Sequence, residues 1–180
     1  MTSLAGKSVL LIVGGGIAAY KAHELVRLLK TRGAAVRIIL TKAAEQFVTP
    51  LSLASLSGEK VYTSLFSLTD EVEMGHIQLS RAADLLVVAP ATADLMAKMA
   101  HGLADDLAST ALLATDKRVL VAPAMNVRMW RHPATLRNVE TLKRDGITLV
   151  GPNDGEMACG EFGPGAWRSP TRFLRPSSTC

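Results

Sequence analysis

Ser8-Val9-Leu10-Leu11-Ile12-Val13-Gly14-Gly15-Gly16-Ile17-Ala18-Ala19-Tyr20-Lys21 joins an uninterrupted apolar run to three glycines and then to a helical pattern. A strand that is apolar at nearly every position is covered on both faces, the condition of a strand inside a parallel sheet. From Ile17 to Arg32, apolar Ile17, Leu25, Leu28 and Leu29 alternate with Lys21, Glu24, Arg27 and Lys30 at helical spacing, and Gly33 closes the segment as a helix C-terminal glycine does. Val36 to Leu40 supplies a second strand, which completes a βαβ unit.

Outward from this unit the alternation continues. Helical character near Ala43 to Phe47 and Leu51 to Leu56 is followed by a looser stretch, Val61 to Asp70. Strands are predicted at Leu85 to Ala89, Val119 to Ala122 and Thr148 to Val150, and helices at Ala93 to Met99, Leu107 to Ala114 and Pro133 to Arg144. This order predicts an α/β fold with a doubly wound parallel sheet, in three α/β/α layers with right-handed crossovers. The chain has 180 residues, 48% hydrophobic and 20% charged, enough for one domain with a substantial core. That domain is expected over residues 1–165. Residues 166–180 carry arginine, proline and serine without periodicity and are expected to be a disordered tail.

Several classes are disfavoured. The longest apolar runs, such as Val9 to Val13 and Val119 to Ala124, fall far short of the roughly 20 residues of a membrane span. The N-terminus leads into a strand without the apolar core of a secretory signal, so a cytoplasmic location is expected. Two cysteines, Cys159 and Cys180, make no disulfide framework, and the four histidines have no zinc-ligand spacing, so no metal is expected. The net charge of +4 comes largely from Arg168, Arg172 and Arg175; without them 17 bases face 16 acids. A near-neutral body argues against nucleic acid as a partner.

The candidate chemistry sits at strand ends. Gly14-Gly15-Gly16-Ile17-Ala18-Ala19 fits G-x-G-x-x-A between strand and helix, where free amides receive a phosphate; the alternative is a glycine-rich turn with no ligand. A dinucleotide site calls for an acid at the end of the second strand, but Leu40-Thr41-Lys42 stands there, which favours a mononucleotide tail such as that of FMN over NAD. Val88-Ala89-Pro90-Ala91-Thr92-Ala93-Asp94 and Val121-Ala122-Pro123-Ala124-Met125-Asn126 use one device twice: Ala-Pro-Ala where the strand stops, then a polar side chain. Thr92 and Asp94 suit a phosphate or ribityl chain and equally a helix N-terminus. Asn126 presents an uncharged amide at the sheet edge. His76, after Gly75 in a loop leading to a strand, is either structural or an acid-base group. Cys159 lies in a glycine-rich loop, 151–165, whose composition suits a flap over a ligand better than a core element.

Taken together, Gly15-Gly16-Ile17-Ala18-Ala19-Tyr20-Lys21, Gly75-His76-Ile77, Ala89-Pro90-Ala91-Thr92-Ala93-Asp94-Leu95, Pro123-Ala124-Met125-Asn126 with Met129-Trp130, and Ala158-Cys159-Gly160 resemble the homo-oligomeric flavin-containing cysteine decarboxylases. The resemblance is to the phosphopantothenoylcysteine decarboxylase domain of the bacterial bifunctional coenzyme A biosynthesis flavoproteins, and runs from about Leu4 to Gly165. It implies a Rossmann-like flavoprotein fold, bound FMN, and decarboxylation of 4'-phosphopantothenoyl-cysteine to 4'-phosphopantetheine. In the family, flavin oxidises the thiol end to a thioaldehyde that accepts the electrons left by carbon dioxide. Carried over, His76 is the acid-base residue, Asn126 holds the substrate carboxylate and Cys159 supplies a proton in the final reduction. Gly15, Gly16, Ile17, Thr41, Thr92, Ala93, Asp94 and Ala124 would line the FMN. A homotrimer or higher homo-oligomer is implied as well.

Other relatives of this fold are FMN-binding proteins without decarboxylase activity, peptide-cysteine decarboxylases and flavin prenyltransferases; the Ala-Met-Asn and Ala-Cys-Gly pieces favour decarboxylation. Three departures stand out. Gly14 occupies a position where relatives often carry serine. The bifunctional proteins normally continue into a synthetase domain, of which these 180 residues hold nothing, so an excised piece, a truncated gene product or a stand-alone decarboxylase is expected. After Gly165 the family's Arg-Met and acidic helix are replaced by Ala166-Trp167-Arg168-Ser169, as a shift of reading frame near Gly165 would produce.

Overall fold

A computed structural model describes residues 3–65, 76–158, 160–167 and 169–173. Strand β1 (Ser8–Val13) runs into a 3-10 turn (Ile17–Lys21) and α1 (Ala22–Thr31), then β2 (Ala35–Leu40). A second 3-10 turn (Ala44–Gln46), α2 (Pro50–Ser57), β3 (Val61–Tyr62) and α3 (His76–Arg81) lead to β4 (Leu85–Ala91) and α4 (Ala93–His101). Next come α5 (Leu107–Leu113), β5 (Arg118–Pro123), α6 (Val127–Arg131), α7 (Pro133–Arg144) and β6 (Thr148–Leu149). The chain ends in β7 (Asn153–Glu156), β8 (Phe162–Ala166) and α8 (Pro170–Phe173).

Six strands form one parallel sheet in the order β3-β2-β1-β4-β5-β6. The two halves wind outward from β1 and β4, so the order of connection reverses between these central strands. Alternation along β1 divides the core. Val9, Leu11 and Val13 pack with α1 and α2 on one face, and Leu10 and Ile12 pack with Leu79, Met96 and Leu107 on the other. That is the expected three-layer, doubly wound arrangement. None of the described helices is long and apolar enough to cross a membrane.

Local chemistry explains the boundaries. Gly33, at φ +88°, ends α1 in the left-handed region, and the Ala34 N–H bonds back to Leu29 O at 3.1 Å. Thr49 caps α2, with proline opening its first turn. A short strand, β3, lies within the stretch expected to be loose, because Val61 and Tyr62 pair with Ile38 and Ile39 at the sheet edge.

Three expectations require correction. His76 opens helix α3 and does not lie in a loop; the following Ile77 to Arg81 carry Leu79 into the second core cluster. The expected flap loop contains an antiparallel hairpin, β7–β8. Of the tail expected to be disordered from 166, the described part is ordered: Ala166 pairs with Asn153, Trp167 is only 3% exposed within the first core cluster, and α8 lies against α1, while residues 168 and 174–180 lie outside the described residues. The indole provides the apolar area that holds these residues, a contribution that the absence of periodicity concealed.

Candidate functional site

Open α/β sheets bind ligands beyond the carboxyl ends of their strands, at the point where the strand order reverses. In this chain that point lies between β1 and β4, and a cavity of about 1180 Å³ opens there. Gly15, Gly16, Ile17, Thr41, Thr92, Ala93, Asp94, Ala124 and Asn126 all line it. Its volume exceeds the usual range for a single drug-sized ligand, about 300–1000 Å³.

One end is built by the turns after β1, β2 and β4. The Gly15 and Gly16 N–H groups have no acceptor among the described residues, and the helical segment that begins at Ile17 continues through α1. A Cβ at Gly15 would lie 2.3 Å from the Ala43 Cβ and 2.6 Å from the Ala43 carbonyl carbon, so only glycine allows the two turns to close together. Gly14 donates to Pro90 O at 3.0 Å, and a Cβ there would meet that oxygen at 2.5 Å. The position is filled by the end of β4, which leaves no room for any side chain without movement of Pro90.

Two threonines complete this end. Thr41 Oγ1 accepts from Ala44 N at 3.2 Å, and Thr92 Oγ1 accepts from Leu95 N at 3.2 Å as the cap of α4. Each hydroxyl uses a lone pair on backbone, and its hydrogen is left to donate. The capping role and the ligand role are therefore compatible. Asp94 is largely exposed, with its Oδ2 3.8 Å from Lys98 Nζ.

Asn126 occupies the other end. Its Oδ1 accepts the Met129 N–H at 2.8 Å and so caps α6. With the carboxamide oxygen committed to that bond, the two N–H donors of its nitrogen remain for a ligand. The turn that carries it is held twice more: Ala124 N donates to Ala91 O at 2.9 Å, and Met125 N donates to Gly165 O at 3.0 Å. Gly165, at φ +141°, makes the second bond possible, because a Cβ there would stand 2.3 Å from Met125 O. The hairpin thus docks its β8 strand on the Asn126 turn. At its outer end, Glu161 Oε1 pairs with Arg128 Nε at 3.4 Å.

Of the three expected catalytic residues, Asn126 is in the cavity wall. The backbone of His76 begins α3 while its side chain lies outside the description, and Cys159 lies outside the described residues, between Ala158, which lines the cavity, and Gly160. Several wall residues were not singled out from sequence. Lys21, Lys98, Asp106, Glu156 and Trp167 all line the cavity. Lys98, 18% exposed, has Nζ 2.9 Å from Asp105 Oδ1, 3.4 Å from Asp106 Oδ2 and 3.8 Å from Asp94 Oδ2. Its hydrogen bond to Asp105, with the three nearby carboxylates, raises its pKa against the opposing effect of burial, and the same bond lowers that of Asp105. The spacing of Asp94 and Lys98, four apart on a helix, was the available signal for part of this cluster.

The flavoprotein family model matches residues 1–175, ten residues beyond the point where the resemblance was expected to stop. The chain is 51% identical over 174 residues to the coenzyme A biosynthesis bifunctional protein CoaBC of Vibrio vulnificus, covering 97% of this chain and 43% of the relative. It is 53% identical over 172 residues to CoaBC of Escherichia coli, covering 96% of this chain and 42% of the relative. The chain therefore spans less than half the length of these relatives. Among solved structures it is similar to a PPC decarboxylase cysteine-to-serine mutant complexed with pantothenoylaminoethenethiol, with TM-score 0.81, 36% identity and 93% of each chain covered. It is also similar to the FMN binding protein AtHal3, with TM-score 0.77 and 37% identity, covering 92% of this chain and 91% of that one.

Proposed function

The chain belongs to the flavoprotein family, and from that premise we propose that it binds FMN and decarboxylates 4'-phosphopantothenoyl-cysteine to 4'-phosphopantetheine in coenzyme A biosynthesis. The observation that carries this reading is the joining, in one cavity, of a phosphate-type cradle at Gly15, Gly16, Thr41 and Thr92 with a capped amide at Asn126. The cradle fits a flavin mononucleotide tail: it offers unpaired N–H groups, two hydroxyl hydrogens and no acid at the end of β2. The remaining volume accommodates a second occupant. Bound FMN would supply reversible two-electron oxidation of the substrate's thiol end.

The chain's own residues bind and orient. Gly15, Gly16, Ile17, Thr41, Thr92, Ala93, Asp94 and Ala124 hold the flavin. Asn126 Nδ2 donates to the substrate carboxylate. A neutral amide fixes the carboxylate without a cation that would stabilise the ground state more than the charge-dispersed transition state. The Met129 bond keeps the amide oxygen, which would repel the carboxylate, turned away. His76 serves as the acid-base residue, and Cys159, in the segment of sequence between β7 and β8, returns a proton to the product carbon. The β7–β8 hairpin over the site excludes water from the reacting thiol end.

The assembly is a cytoplasmic homotrimer or higher homo-oligomer. Supporting this, Ile17, Tyr20, Phe47 and Leu51 are exposed, Leu51 at 76%. Ile17 and Tyr20 also line the cavity. His23 Nδ1 contacts Tyr20 O at 3.1 Å and its Nε2 contacts Ser52 Oγ at 2.7 Å, which brings the Tyr20 and Leu51 surfaces together. An apolar patch at a site mouth is a self-association surface. Sedimentation velocity should give a trimer or larger, and a monomer at micromolar concentration would exclude it.

The test is direct. The purified chain should show a flavin spectrum, or acquire one with FMN, and release carbon dioxide from phosphopantothenoyl-cysteine. A protein that binds no FMN refutes the whole reading; a flavin-loaded oligomer that releases no carbon dioxide refutes the enzymatic part.

A further inference from the structure

Methionines gather at the Asn126 end of the cavity. Met125, Met129 and Met157 all stand in its wall, and they differ in how their side chains are covered. Met125 packs against the second core cluster. Met157 lays its Cε against Gly165, 2.8 Å from where a Cβ on that residue would stand. Met129 is 46% exposed, whereas Met96 is fully buried and Met99, Met125 and Met157 are half-buried. Among the described methionines, Met129 alone combines a place in the cavity wall with an exposed side chain.

A second observation concerns what Met129 holds. Its N–H donates to Asn126 Oδ1 at 2.8 Å, and this bond is what leaves the two N–H donors of the amide to a ligand. The Met129 side chain therefore grows from the backbone that orients the amide, on the same wall. A thioether is soft, apolar and a weak acceptor, so it does not compete for those donors. A sulfoxide is polar, and its oxygen is a strong acceptor.

We propose that Met129 is an oxidation site, at which hydrogen peroxide switches off the contact between Asn126 and the substrate carboxylate. The sulfur lone pair attacks one peroxide oxygen; an S–O bond forms as the O–O bond breaks, and the departing hydroxide takes the proton of the transferred oxygen and leaves as water. Sulfur loses two electrons and the peroxide gains them. The new sulfoxide oxygen competes with the carboxylate for the Asn126 N–H donors. Enzymatic reduction of the sulfoxide returns the thioether, so the change is reversible. The consequence for turnover rests on the function proposed above; the place of oxidation does not.

The flavin-loaded chain is treated briefly with hydrogen peroxide and then with dithiothreitol, which returns oxidised thiols and leaves sulfoxides in place. Peptide mass mapping should find one added oxygen on Met129 several-fold ahead of Met96, Met99, Met125 and Met157. The kcat/KM for phosphopantothenoyl-cysteine should fall about tenfold, chiefly through KM, as for a lost hydrogen bond to a charged group. It should return when reductases for both sulfoxide epimers are added. Met129→Leu, treated alike, should keep most of its own untreated kcat/KM. Oxidation of Met129 no faster than of the half-buried methionines overturns the site. Complete oxidation of Met129 with kcat/KM unchanged, or an equal loss in Met129→Leu, overturns the switch and leaves the decarboxylase reading intact. An untreated chain that releases no carbon dioxide refutes that reading and the switch with it, while the mass map still decides the oxidation site.

Discussion

The turns after β4 and β5 are built from nearly the same residues and do different work. Both end a buried strand in Ala-Pro-Ala, both present a polar side chain next or soon after, and in both that side chain caps the following helix. Thr92 caps a nine-residue helix with its hydroxyl oxygen and keeps a single hydrogen. Asn126 caps a five-residue helix with its amide oxygen and keeps two. The shorter helix contributes little rigidity, and the β5 turn gains it from neighbours instead, through Ala91 O and Gly165 O. A cap thus fixes which atom of a side chain is available to a ligand, and the residue type fixes the chemistry of that atom.

The largest expected effect separates capping from donation. Asn126→Asp retains an oxygen for the Met129 N–H, so α6 should stay formed, but it replaces the amide donors with a carboxylate that repels the substrate's own. Turnover should fall by about a hundredfold or more, as when one donor is removed from a developing charge, with flavin still bound by absorbance. Loss of flavin together with turnover would mean that Asn126 acts mainly on the cradle, and the division between the two turns would be wrong.

Gly15→Ala attacks the opposite end. The added carbon overlaps Ala43 side chain and backbone, and a forced separation of the two turns costs about 1–3 kcal/mol. Thermal melting should show the destabilisation, and FMN affinity should drop sharply. A melting temperature and flavin affinity equal to wild type would show that the turns are not in close contact. Thr92→Val is milder: it removes both the cap, worth about 1 kcal/mol, and the hydroxyl hydrogen. Thr92→Ser should retain both. Flavin affinity that falls in the valine variant and returns in the serine variant assigns Thr92 to the cradle as well as to α4; stability that changes alone confines it to the helix.

Much of the fold was legible because it depends on local pattern. The apolar run Ser8 to Val13, the glycines after it and the helical spacing up to Gly33 each act over a few residues, and each element stands within a residue or two of its expected position. The Ala-Pro-Ala repetition marked the two strand ends that meet at the cavity. What escaped depends on contacts between distant segments. Val61 and Tyr62 are a strand only because β2 lies beside them, and Phe162 to Ala166 are one only because Asn153 to Glu156 return alongside. Trp167 reads as part of a disordered tail because the partners that anchor it lie far off in sequence, Lys21 as many as 146 residues earlier. Of the site, the glycines, threonines and Asn126 announced themselves at strand ends, whereas Lys21 and Lys98 look like ordinary exposed-face lysines of helical segments until the sheet places them at the cavity.

Asp105→Asn tests whether the β4 side can be altered without the β5 side responding, and its effect should be the smallest. The variant removes the closest partner of Lys98 and leaves Asp94 and Asp106 to hold it. Because the hydrogen bond from Lys98 lowers the pKa of Asp105 in the folded chain, the unfolded chain binds more protons as acid is approached, and the bond's contribution to stability is lost as pH falls through the folded value. Wild type should therefore exceed the variant slightly in urea-unfolding midpoint at neutral pH, and the two should converge below the ordinary carboxylate range. The raised pKa of Lys98 works in the other direction and weakens the cluster only at strongly alkaline pH. Since Asp105 touches Lys98 and Ser109 but no part of the Asn126 turn, kcat should be unchanged across the series. A fall in kcat comparable with that of Asn126→Asp would show that the two turns move together, through the bond from Ala124 N to Ala91 O and the β4–β5 pairing beside it.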